Sequence, residues 1–162
     1  MAGEASAADD DHRRVRPARA DDLAAVERIV TAAFTPYIPR VGRPLAVMAN
    51  DYAALIAAGA VFVAADPAAG EGVAGLIVLV DEEDVLYVDT LAVEPGAHGH
   101  GHGRALLDFA AEEARRRGFP ALRLCTNEVM HENLTFYPHL GWQETHRGVQ
   151  AGFARVFYRK AV

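Results

Sequence analysis

The stretch that decides the fold is "LAVEPGAHGHGHGRALLDFA", residues 91–110. An apolar run ends at Pro95. Glycines at 96, 99, 101 and 103 then interleave with His98, His100 and His102, and beyond Arg104 the apolar residues recur at helical spacing. The order is strand, glycine loop, helix, with the helix beginning near Gly103 and Arg104. A helix N-terminus carries four unpartnered N–H groups and the positive end of the macrodipole. Glycines let such donors close around an anion without Cβ obstruction. The expected ligand is a phosphate or pyrophosphate. Alternating imidazoles could also converge on a metal, but no nearby cysteine supplies a soft fourth ligand, and no metal is expected.

Working outward from the loop gives the topology. "RRVRPA" (13–18) reads as a first strand. Leu23, Val26, Ile29, Val30 and Ala33 share one helical face, with Asp21 or Asp22 as cap. The segment 35–48 is broken by Pro36, Pro39, Gly42 and Pro44 and reads as loop, leading to a second helix through "NDYAALIAAG" that stops at Gly59. "AVFVAAD" and "GVAGLIVLVD" form a hairpin across "PAAGEG", and "DVLYVDTLAVEP" is the strand that feeds the glycine loop. After the helix, closed by Gly118 and Pro120, come the strand "ALRLCT", the helix "NEVMHENLTFYPHLG" and a final pair of strands. The element order is β-α-α-β-β-β-α-β-α-β-β, a mixed α/β fold with a central, mostly antiparallel sheet and helices on both faces. A dinucleotide-binding loop would follow the first strand of a βαβ unit, with an acidic residue about 20 positions on. This loop follows the fourth strand, which argues against that fold.

A chain of 162 residues, 51% hydrophobic and 23% charged, has the composition of one globular domain. Residues 1–12 read as a disordered acidic tail and 13–162 as a single domain. The net charge of −6 excludes a broad nucleic-acid footprint, and Arg115, Arg116 and Arg117 read as the cationic end of a helix. No apolar run of about 18 residues implies a membrane span, and the N-terminus lacks the pattern of a signal peptide. The single cysteine, Cys125, fits a reducing cytoplasm and reads as small core filler.

The glycine stretch resembles the acetyl-CoA-binding segment of the GNAT superfamily of N-acetyltransferases. That family's fingerprint is Gln/Arg-x-x-Gly-x-Gly/Ala after a strand ending near Val-x-Pro, and His98, Gly101 and Gly103 stand at its defined positions. Downstream, "NLTFYPHLGW" resembles the second signature, an Asn followed by Tyr and a helix end at Leu-Gly-aromatic. The two motifs lie in the family's order and separation, and the likeness covers roughly residues 13–160.

The resemblance implies acetyl transfer from acetyl-CoA, a co-substrate, to a primary amine on a small molecule or peptide, with no nucleic acid or membrane involved. A homodimer is compatible with it. By resemblance, the backbone N–H groups of His98, Gly99, His100, Gly101, His102, Gly103 and Arg104 hold the pyrophosphate. Leu91, Ala92 and Val93 pair with the pantetheine arm as with another strand, and the Val93 N–H meets the thioester oxygen. Asn133 matches a position that contacts the pantetheine or orients the site. Tyr137 matches the general acid that protonates the departing thiolate, a task for which a phenol protonated at neutral pH is suited. Asp89 is the candidate base, on the expectation that strand alternation sets it on the face of Leu91 and Val93, with Glu94 the weaker choice. Tyr37, Arg40, Arg43 and the stretch 146–153 are the candidate acceptor elements.

Two departures stand out. The family usually has Gln or Arg where this chain has His98. A neutral imidazole attracts phosphate less than a guanidinium does, so CoA binding is expected to be weaker and more pH-dependent. Pro138 directly follows Tyr137, and proline disfavours helical geometry at the preceding residue. The helix would then end early or Tyr137 would sit differently. A non-catalytic acyl-CoA-binding module on the same fold, or a plain nucleotide-binding enzyme, are the alternative readings.

Overall fold

A computed structural model describes residues 15–162, and the 1–12 stretch read as a tail lies outside the described residues. Seven strands form one sheet in the order β1-β2-β3-β4-β5-β7-β6. They are β1 (Val15–Pro17), β2 (Val61–Ala65), β3 (Val73–Asp81), β4 (Leu86–Val93), β5 (Ala121–Asn127), β6 (Gln143–Gln150) and β7 (Phe153–Ala161). Every neighbouring pair is antiparallel except β4 and β5, which run parallel.

Helices α1 (Leu23–Phe34) and α3 (Tyr52–Ala57) cover one face, and α4 (His102–Arg117) and α5 (His131–His139) cover the other. A single turn, α2 (Ile38–Val41), lies in the crossover between α1 and α3. On the first face Val26, Ile29 and Val30 of α1 bury themselves against Val61, Val63, Leu76 and Val78. Burial of each such aliphatic side chain contributes about 1.5–3 kcal/mol. On the second face Leu106, Leu107 and Ala110 pack on Ile77, Leu86, Val88, Leu122 and Leu124. Among the described residues no helix is long and apolar enough to cross a membrane.

Three expectations are corrected. The segment 35–48 is not plain loop: it holds a 3-10 turn (Thr35–Tyr37), α2 and a second 3-10 turn (Ala46–Ala49). Pro36 and Pro39 occupy first-turn positions, where a missing N–H is spare and a fixed φ already suits the helix. Asp22 precedes α1 but makes no side-chain cap. Its carboxylate instead accepts from the Arg19 amide at 2.8 Å and from the Arg16 guanidinium at 2.8 and 3.1 Å, tying β1 to the start of α1. Cys125 belongs to neither core: it is a half-buried free thiol on the face of β5 opposite Leu122 and Leu124.

Two features of β4 position the site. Its register with β3 shifts between Val78 and Leu79, so that Thr90 faces Val78, Val88 faces Leu79, and Asp89 is the extra residue of a bulge. Its pairing with β5 is limited to Leu86 with Leu122 and Tyr87 with Arg123. Past Tyr87 the two strands part.

Candidate active site

The parting strands open a cleft of about 640 Å³, lined by the end of β4, the glycine loop, α1 and α5. Leu91, Ala92 and Val93 form its floor, and Ala33, Phe34 and Tyr37 one wall. Met130, Asn133, Phe136 and Tyr137 form the other wall, and residues 97–99 and 101–104 close the end. The floor, the loop and the second-motif residues thus line one cleft, with His100 alone of residues 98–104 outside the lining.

The loop geometry follows from its glycines. Gly99 and Gly101 adopt φ of 84° and 78°, the left-handed region in which a Cβ is strained. Gly101 is the N-cap of α4, so the helix begins at His102, one residue earlier than its spacing suggested. The first turn of a 16-residue helix thereby lines the end of the cleft, and spare N–H groups at such a helix start suit an anion. A second glycine matters on β3. A Cβ on Gly75 would lie 2.8 Å from the Ala92 carbonyl oxygen and 3.3 Å from Leu106 Cδ1. Its bare backbone lets α4 press against the end of β4.

The three histidines separate. His98 and His100 are exposed, and His98 lines the cleft. His102 turns inward and is buried, its Nε2 3.3 Å from Asp66 Oδ2. That contact is not an aligned hydrogen bond, since the Nε2 has no hydrogen-bond partner among the described residues. Among the described residues no group of three His, Cys, Asp or Glu side chains could hold a metal ion.

Pro138 does not displace Tyr137. It sits in the last turn of α5, is exposed, and leaves the helix running to His139, where the Leu140 amide donates back to the Phe136 and Tyr137 carbonyls. Edge-on contacts with Phe136 and Trp142, and a tilted one with Tyr158, fix the Tyr137 ring. The ring is buried, and that burial pushes its phenol pKa well above the ordinary value, so the group holds its proton firmly. Asn133 donates its side-chain amide to Thr126 Oγ1 at 2.9 Å, which joins α5 to β5.

Asp89 is placed differently from its expectation. Leu86 and Val88 belong to the core under α4, and Leu91 and Val93 pack against that same core, so the bulge has reversed the alternation between them. Asp89 and Thr90 fall together on the opposite face, and Asp89 is not among the residues lining the cleft. Its Oδ2 accepts from Asn50 Nδ2 at 2.9 Å and from Thr90 Oγ1 at 3.0 Å. Glu94 is tied to the Arg28 guanidinium.

On the acceptor elements, Arg40 pairs with both carboxylate oxygens of Glu132 at 2.9 and 2.7 Å and lies over the Tyr37 ring. This bridge joins α2 to α5 across the cleft and holds the Glu132 carboxyl at about 2. His146 stacks on Phe157 at 4.3 Å.

The sequence reading missed a polar group on the open face of β4, β5 and β7. The Tyr87 hydroxyl lies 3.3 Å from Cys125 Sγ, and Arg155 Nη1 lies 3.2 Å from the same sulfur. Burial, followed by the neighbouring thiol, raises the Tyr87 phenol far above its usual value. The available signal was the alternation itself: Tyr87 and Arg123, Cys125 and Arg155 are polar positions on otherwise apolar strands.

The comparisons agree with this geometry. Residues 57–144 match the Acetyltransferase (GNAT) domain family. A segment of 72 residues is 40% identical to N-alpha-acetyltransferase 80 of Mus musculus, covering 44% of this chain and 22% of that protein. The matched segment thus spans less than a quarter of the length of that relative. Among solved structures, the PaiA N-acetyltransferase of Thermoplasma acidophilum in complex with coenzyme A superposes with a TM-score of 0.76 over 91% of this chain and 98% of its own, at 13% identity. Nourseothricin acetyltransferase is 27% identical, with a TM-score of 0.55 over 62% of this chain and 64% of its own. With more than half its length matched and the strand order, glycine loop and cleft in place, the chain belongs to the GNAT acetyltransferase family.

Proposed function

We propose that the chain moves an acetyl group from acetyl-CoA directly to the primary amine of a small-molecule or peptide acceptor. The observation that carries this reading is the continuity of one cleft. It runs from the amide cradle at the start of α4, along the free edge of β4, to the buried Tyr137.

The residues divide the work. Amides of residues 98–104 hold the pyrophosphate, supported by the helix dipole and by Arg104 at the cleft end. Leu91, Ala92 and Val93 offer backbone groups that β5 leaves free, and the Val93 N–H stabilises the oxyanion formed as the amine attacks the thioester. The amine approaches from the opposite face of β4, through the gap left where β4 and β5 part, and gives its proton to Asp89, whose Oδ1 has no hydrogen bond among the described residues. Collapse breaks the carbon–sulfur bond, and the thiolate takes the Tyr137 proton. Asn133 steadies the α5 wall. A single cysteine, with no internal disulfide to form, is compatible with a reducing cytoplasm as the place of work.

Two measurements test this. Acetyl-CoA should raise Tm, because a ligand at 100 times Kd stabilises the native state by about 2.7 kcal/mol. Thiol should be released when an amine panel is added. Protection by NAD or ATP and none by CoA refutes the reading; protection by CoA with no thiol release from any amine makes the chain a non-catalytic binding module.

A further inference from the structure

The open face beside the cleft carries positive charge that the protein itself does not neutralise. Arg155 is half-buried, its Nε is buried without a hydrogen-bond partner, and its Nη1 rests on the Cys125 sulfur. Arg43 reaches from the α2–α3 crossover to the β6–β7 turn, where its Nη2 donates to the Ala151 carbonyl at 3.1 Å. The two guanidinium carbons lie 3.7 Å (Arg43) and 5.3 Å (Arg155) from the centre of one ring, Phe153. Neither pairs with a carboxylate among the described residues. Two cations held beside one apolar ring repel each other, and an anion set between them relieves that repulsion.

The same face carries an opposite charge, Asp89, two residues along β4 from Tyr87. Asp89 and Arg155 both act on the Tyr87 ring, from the bulge of β4 and from β7. Tyr87 and Cys125 stand where β4 and β5 begin to part, beside the gap through which the proposed acceptor reaches the cleft. A carboxylate at the β4 bulge therefore shares this face with guanidiniums suited to a bidentate oxyanion.

We propose that the acceptor is an amino acid or a molecule of that type, a primary amine carrying a carboxylate, and that Arg155, assisted by Arg43 across Phe153, holds the carboxylate while the amine faces Asp89. This rests on the acetyltransferase reading above and gives that site its substrate class.

The test compares matched acceptors at equal free-amine concentration: β-alanine against β-alaninamide and L-phenylalanine against L-phenylalaninamide, with phosphoethanolamine and spermidine alongside. The acids should exceed their amides at least tenfold in kcat/KM. That ratio should fall at least tenfold in Arg155→Met and recover in part in Arg155→Lys, while thermal protection by CoA reports that each variant is folded. Amides or spermidine equal to or better than the acids overturn the proposal. A preference for phosphoethanolamine over β-alanine overturns the carboxylate assignment. If no amine releases thiol, the acetyltransferase reading fails, and calorimetric titration of N-acetyl-L-phenylalanine and its amide into the protein decides this proposal separately. Tighter, Arg155-dependent binding of the acid sustains it, and equal binding of the two overturns it.

Discussion

The two halves of the sheet are built to different ends. From β1 to β4 the ladder is continuous and antiparallel, and α1 and α4 cover its two faces with apolar side chains. From β5 through β7 to β6, one face turns Leu122, Leu124, Val156 and Tyr158 into the core. The other presents Arg123, Cys125, Arg155 and His146, and every residue of β6 is exposed. Among the described residues, strand pairing joins the two halves through only two residue pairs, Leu86 with Leu122 and Tyr87 with Arg123. One core packs against both halves, while the proposed recognition falls on the open face of the second and the proposed chemistry in the seam between them.

Substitutions at the seam, in the scaffold and across the cleft should therefore separate activity from stability. The largest effect is expected of Tyr137→Phe, which keeps the packed ring and removes the proton donor. Steady-state kinetics should show kcat reduced about 10²–10⁴-fold, with CoA protection in thermal melts little changed. An undiminished kcat would assign the leaving-group proton to another source. In the scaffold, Gly75→Ala sets a Cβ 2.8 Å from the Ala92 carbonyl. Overpacking of this kind costs about 1–3 kcal/mol in denaturant unfolding. CoA binding should weaken with it, because the displaced backbone is the cleft floor.

Asp22→Asn tests the clasp between β1 and α1. The Arg16 guanidinium holds the Asp22 carboxyl below its ordinary value. Its contribution is then complete above the unfolded-state value, near pH 4, and disappears as pH falls through the lower folded-state value. Urea titrations should show a deficit of about 1 kcal/mol at pH 7 that shrinks below pH 4, whereas a deficit independent of pH would deny the clasp. His98→Arg should tighten CoA binding several-fold, as expected of a permanent cation at a phosphate site. An unchanged Kd would leave the backbone amides as the sole holders of the phosphates. The smallest effect on stability should follow Glu132→Gln, since the Arg40 bridge is exposed. Tm should hardly move, while stopped-flow dissociation of CoA should speed up a few-fold, and less so at high salt.

Most of the architecture was legible because it is written in local periods. The faces of α1 and α4, the hairpin of β2 and β3 and the glycine stops each follow from a few neighbouring residues. What escaped depends on partners far along the chain. The bulge that turns Asp89 away from Leu91 and Val93 arises from register with Val78 and Leu79, which β4 alone does not encode. His102 looked like its two companions until Asp66, on the β2–β3 connection, supplied a neighbour. Arg155 gains meaning only when β7 is set beside β5, bringing it to Cys125 and Tyr87. Tyr137 was found by motif, and what keeps it in place beside Pro138 is an aromatic cage of Phe136, Trp142 and Tyr158, each reached from a different local segment.

The parted strands carry one more consequence, for handling the protein rather than for its chemistry. Beyond Tyr87, β4 and β5 each turn an unpaired edge toward the cleft, and open edges are templates for foreign strands. An extended, amide-bearing arm laid in that gap would cap both edges at once. The coenzyme would then serve the resting protein as a guard against aggregation. Concentrated ligand-free samples should turn cloudy on warming before CoA-loaded ones do, by a margin that light scattering reads directly.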